Sequence, residues 1–179
     1  MRVFLEKVDG VYQGVCFPFK QGLDSGSLFM DFAEDGSLFV FGTDRGWGAR
    51  GGKPFSLQRL VWMDALPFEI HELRAKPNGF EVTFTQPCDK ATAENIESYT
   101  IETYILKYQS TYGSPEVDQT KPKITSVKVA DDKMSARLVV DGLVEGHIHE
   151  LHFPGVKNAQ GEPLLHDAAY YTLMRIPKD

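Results

Sequence analysis

Turn-forming residues recur about every ten positions along this chain, and no stretch sustains a helical period. Asp9-Gly10, Ala33-Glu34-Asp35-Gly36, Pro77-Asn78-Gly79 and Asp131-Asp132-Lys133 each lie between short apolar-polar runs. That spacing leaves room for short antiparallel strands joined by hairpins. The 12 Phe, 7 Tyr and 2 Trp suit a pleated surface better than a helix. The expected fold class is therefore all-β.

Taken in order, Arg2–Glu6 and Val11–Phe19 read as strands about the Asp9-Gly10 turn. Leu28–Phe32 and Ser37–Gly42 form the next hairpin. A Gly- and Arg-rich loop, Thr43–Pro54, then leads to the strand Ser56–Trp62. Ten of the 16 glycines precede residue 63, and Met63-Asp64-Ala65-Leu66-Pro67 reads as a boundary. Beyond it the strands are Phe68–Arg74, Phe80–Thr85, Tyr99–Tyr108, Lys123–Ala130, Ser135–Val140, His147–Phe153 and Tyr170–Ile176. That number suits an immunoglobulin-like sandwich. Asp89–Ser98 has residues for a short helical turn, and Gln109–Pro122 is a polar excursion. Two modules are expected, 1–64 and 65–179.

Formal net charge is −6, and neither module is a basic surface, so nucleic acid is not an expected partner. No apolar run is long enough to span a membrane. Met1–Lys7 alternates like a strand and does not read as a signal peptide. Cys16 and Cys88 read as two small buried thiols, with a disulfide between them as the alternative.

Gly46-Trp47-Gly48-Ala49-Arg50-Gly51 matches GxGxxG, but a dinucleotide fingerprint must open a helix, and Gly52-Lys53-Pro54 and a strand follow here. The same loop sets Arg45, Arg50 and Lys53 beside Trp47. Guanidinium and indole together can grip a sugar or carboxylate by bidentate hydrogen bonds and stacking. The plainer reading pairs the arginines with Asp44 or Asp24 and packs Trp47 on a neighbour. His147 and His149 share one strand face, with His152 on the other. They form half a metal site that needs a third ligand, His166 or Glu150. The alternative puts His149 in the core beside Leu151 and Phe153. Tyr104, Tyr108 and Tyr112 lie in or beside the polar excursion, whose length suggests a role. Docking onto a neighbouring domain is one, and stacking on a glycan the other. No nucleophile elbow, Ser/His/Asp constellation or paired carboxylates for glycoside chemistry stand out.

Leu28-Phe29-Met30-Asp31-Phe32-Ala33-Glu34-Asp35-Gly36-Ser37-Leu38-Phe39-Val40, the glycine loop and Leu57-Gln58-Arg59-Leu60-Val61-Trp62 resemble the last blade of glucose/sorbosone-dehydrogenase-like β-propellers. Arg2–Phe19 looks like outer strands of the blade before it. Glu81–Asp89, Asn95–Tyr99 and Leu151–Gly161 resemble an S-layer-type bacterial Ig-like domain, with Cys88 where an apolar residue is usual. The resemblance implies a partial β-propeller segment of one to two blades followed by an Ig-like β-sandwich. It implies the tail of a larger, exported protein of the membrane-bound dehydrogenase type, placed in the periplasm or outside the cell. Quinone-dependent members hold pyrroloquinoline quinone with an Arg-x-Arg pair, and Gly26-Ser27-Leu28 stands at the matching place. No cofactor is therefore expected in this chain, although the parent could use that quinone. The expected function is a non-catalytic structural and interaction module. One alternative is a portion of a sugar oxidoreductase with its catalytic blades elsewhere; another is a carbohydrate-binding module. Expected partners are the missing blades, a second copy, or a glycan.

Overall fold

The computed structural model describes residues 1–44, 48 and 50–178, and among them the fold is all-β. In chain order the strands are β1 (Arg2–Val8), β2 (Val11–Phe17), β3 (Ser27–Phe32), β4 (Leu38–Thr43), β5 (Phe55–Leu60), β6 (Ile70–Lys76) and β7 (Gly79–Phe84). They continue with β8 (Thr100–Leu106), β9 (Glu116–Thr120), β10 (Lys123–Val129), β11 (Ser135–Asp141), β12 (His147–His152) and β13 (Ala168–Leu173). The expected helical turn is α1 (Lys90–Ala93), capped by Asp89, whose side chain accepts from Thr92 N–H at 2.9 Å. The chain divides into two compact units: Met1–Phe19 with Pro67 onward, and Lys20–Leu66.

The first unit is a sandwich of a six-stranded sheet, ordered β1-β2-β13-β12-β8-β9, and a four-stranded sheet, ordered β10-β11-β7-β6. Period-two alternation turns one face of each sheet inward. Phe80, Val82 and Phe84 of β7 and Ala136, Leu138 and Val140 of β11 meet Val15, Phe17, Leu151, Tyr171 and Leu173 from the other sheet. Phe80 stands edge-on to Tyr171, with ring centroids 5.2 Å apart, a geometry favoured by the ring quadrupole.

Here the structure corrects the expected boundary at 64/65. The Asp9-Gly10 hairpin is not the edge of a blade. Tyr170, Tyr171 and Thr172 of β13 pair with Cys16, Val15 and Gly14 of β2. Val15 and Phe17 are buried in the sandwich core, and each fully buried side chain of this size contributes about 1.5–3 kcal/mol. Of the one to two blades expected, one three-stranded meander is present, because the strands assigned to the other belong to the sandwich. Gly14 makes the hairpin close: a Cβ there would lie 2.0 Å from Phe4 O.

β1 also closes a corner of the sandwich. The edge strand β6 would otherwise present unpaired backbone groups, a template for unwanted pairing. The Arg2 guanidinium donates to the carbonyls of Ile70 and His71, the latter at 2.6 Å. Glu6 accepts from Ala75 N–H at 2.8 Å and from the Tyr171 hydroxyl. Gln13 donates to that hydroxyl at 2.9 Å and accepts from Arg175 N–H at 2.8 Å. At the opposite corner Glu94 accepts from Val129 N–H on edge strand β10, at 3.1 Å.

The second unit is the antiparallel sheet β3-β4-β5. Its hairpin closes through Gly36, whose N–H donates to Ala33 O at 2.9 Å with φ +78°, a conformation glycine adopts without penalty. Asp35 takes the Ser37 N–H and hydroxyl, which hold its carboxyl below the usual carboxylate range.

Candidate functional site

β12 turns His147, His149 and Leu151 inward, which confirms the shared histidine face. His147 Nδ1 lies 3.1 Å from Thr103 Oγ1, which lies 2.8 Å from Thr120 Oγ1. Its Nε2 lies 3.5 Å from Asp118 Oδ2. His149 is fully buried, edge-on to Phe80 at 5.6 Å, and Nε2 accepts from Val144 N–H at 3.4 Å. Burial pushes its pKa down to about 4, and Nδ1 has no partner. The ring is therefore neutral near neutral pH, as a core residue is.

The two residues named as third ligands lie apart from this pair. Glu150 alternates to the other face of β12, 3.0 Å from the Tyr104 hydroxyl and 2.8 Å from His152 Nε2. His166 Nδ1 lies 2.5 Å from Glu69 Oε1. Among the described residues no group of three or more His, Cys, Asp or Glu is placed to hold a metal ion. Cys16 and Cys88 are free thiols, and burial raises Cys88 to about 11.

In the glycine loop, Arg45 and Trp47 lie outside the described residues. Arg50 is exposed and lines a cleft of about 600 Å³ with Lys20–Ser27 and Gly51. Asp24 pairs with Lys53 at 2.6 Å, and its N–H donates to Gln58 Oε1 at 2.7 Å. In the first unit, Tyr108 and Tyr112 extend fully into solvent from a loop tied by Gln109 Nε2 to Gly113 O at 3.1 Å. Tyr104 is buried, and its contact with Glu150 separates it from that pair.

The feature that strand patterns alone did not rank is the meander's surface. Half of the large apolar side chains exposed among the described residues belong to Lys20–Leu66, the shorter unit. Phe29, Phe41 and Leu57 stand opposite one another in one row across β3, β4 and β5. The Phe29 and Phe41 rings are 6.0 Å apart, and Arg59 lies over Phe39 at 5.7 Å. Monomeric surfaces rarely leave an apolar face of this kind open, and large patches mark interaction sites. The signal was legible as alternating Phe and Leu on neighbouring strands, but only the register shows them in line.

No family model and no curated protein matches the chain. Among solved structures, surface layer protein SbsC, domains 1-6, is 24% identical, covering 64% of this chain and 15% of its own, with a TM-score of 0.45. The N-terminal part of the bacterial S-layer protein SbsC is 25% identical, covering 64% and 25%, with a TM-score of 0.46. A third structure, of rSbsC(31-844), is 27% identical, covering 57% and 13%, with a TM-score of 0.44. The chain spans a quarter or less of the length of each.

Proposed function

We propose that this chain is a non-catalytic structural and interaction module of a larger, exported protein, working in the periplasm or outside the cell. The observation that carries the reading is the open apolar row Phe29, Phe41 and Leu57 on a three-stranded sheet. A sheet with one uncovered apolar face is half of a packed layer, and burying it elsewhere is its physical use. Support from the first unit is that its polar side chains hold strands together. Arg2 and Glu6 satisfy the edge of β6, and Gln13 holds the chain after β13. His147 and His149 serve the core in this reading.

The parent protein is a sugar-dehydrogenase-like propeller protein in this proposal, on the resemblance of Leu28–Val40 and Leu57–Trp62. Any quinone of that parent is held outside this chain, since Gly26-Ser27-Leu28 offers no cation. The test is to offer the purified chain sugars, pyrroloquinoline quinone and an electron acceptor, with calorimetry for quinone binding. The expected result is neither turnover nor binding; turnover, or micromolar quinone binding, would overturn the reading.

A second reading, glycan binding, is favoured by the fully exposed Tyr108 and Tyr112 on one tied loop. Aromatic faces stack on sugar rings through apolar contact. Binding to a polysaccharide that is lost in both Tyr108→Ala and Tyr112→Ala would establish it. Equal retention by wild type and variants would remove it.

A further inference from the structure

Residues directly opposite across antiparallel strands share a face, as do alternate residues along one strand. One face of the β3-β4-β5 sheet therefore carries two adjoining rows: Phe29, Phe41 and Leu57, then Asp31, Phe39 and Arg59. Phe55 extends it on the far side. Phe29 is 59% exposed, Phe41 41%, Leu57 60% and Phe55 76%. With roughly 200 Å² for a whole aromatic side chain, these four offer on the order of 450 Å². Two copies face to face would bury about 900 Å², near the ~1,000 Å² of a small specific interface, before Asp31, Phe39 and Arg59 contribute.

The charges single out the occupant. Asp31 lies on β3 and Arg59 on β5, at opposite ends of one row. A two-fold axis parallel to β4 lays β3 of one copy over β5 of the other and keeps each row in line. Each Asp31 then meets the partner's Arg59, and Phe41 meets the partner's Phe41. Both charged groups have capacity for this. Arg59 donates to Asp35 and to Ser37 Oγ at 3.0 Å, which leaves others of its five N–H donors. Asp31 Oδ1 accepts from Phe32 N–H at 2.9 Å, which leaves the second oxygen.

We propose that this face is a two-fold interface between two copies of the chain, an inference that rests on the reading of the chain as an interaction module. The area is at the low end for a specific complex, so the dimer is weak and concentration-dependent.

Sedimentation velocity on the full chain, from low-micromolar to near-millimolar concentration, tests it with Asp31→Arg and Arg59→Asp. Wild type is expected to shift from monomer to dimer across that range. Each variant alone should dissociate at least ~tenfold more readily, because two attractions become two repulsions. An equimolar mixture of the two should regain dimer, since one of the two 31–59 contacts is then the charge-reversed pair and the other the native Asp31–Arg59 pair, both attractive. Damage to the Arg59–Asp35 contact inside one copy would not be rescued by mixing. A wild-type chain monomeric throughout, its face covered within the chain or kept for another protein, would overturn the proposal. So would a mixture that associates no more than either variant. A monomer inert toward sugars would remove this interface and leave the module reading standing, while sugar turnover by a dimer would do the reverse.

Discussion

His149 shows at the scale of one residue what the core asks of its polar members. Burial holds its pKa near 4, while the unfolded chain titrates near the ordinary histidine value. Between those values the unfolded state binds a proton that the folded state does not. Stability from this group is therefore full above about pH 6.5 and falls as pH drops toward 4, by about 3 kcal/mol in all. Urea unfolding at about pH 7 and about pH 5 should show the loss, and His149→Phe should flatten the dependence in that window. An unchanged slope in the variant would contradict the assignment. Glu6 offers a second test. Glu6→Ala leaves Ala75 N–H and the Tyr171 hydroxyl without their acceptor, at a cost of about 2–4 kcal/mol. Tyr171→Phe leaves the Ala75 bond but removes both the donor to Glu6 and the acceptor of Gln13 Nε2, so it should cost about 1–3 kcal/mol. A Glu6→Ala loss under ~0.5 kcal/mol, read from urea midpoints, would count against Glu6 as the closing group of β6.

At the scale of elements, local chemistry was legible and long-range pairing was not. Asp9 at φ +46° and Gly10 at φ +82° form the two-residue turn that an Asp-Gly pair announces. The meander β3-β4-β5 was likewise readable, because each strand pairs with the next in the chain. The destination of the first hairpin was not. A period of two identifies a buried face but never the partner strand, and β2 pairs with β13 at the other end of the sequence. Val15-Cys16-Phe17 read as apolar on both faces, which suited a blade as well as a sandwich. β9 was missed inside the polar excursion, because Glu116–Thr120 has no buried residue to mark an inward face. The histidine face was legible from alternation. The Thr103 contact of His147 was not, because β8 and β12 are far apart in the chain. Gly14 gives this scale its test. Gly14→Ala would drive a methyl into Phe4 O and should destabilise the sandwich by on the order of 2–4 kcal/mol. A loss under ~0.5 kcal/mol would mean that β1 does not approach β2 as described.

For the molecule as a whole, stability depends on which residues form one cooperative body. The sandwich is discontinuous in sequence: Met1–Phe19 and Pro67 onward share one core, while Lys20–Leu66 forms its own sheet. Segments that share a core open together, so their amides exchange through the same global unfolding. Native-state hydrogen exchange on the full chain measures this directly. The prediction is that β2 amides around Val15 and Phe17 exchange with the same free energy and denaturant dependence as β12 and β13, with β3–β5 separate. Exchange of β1 and β2 together with β3–β5, while β6–β13 stay protected, would contradict the account.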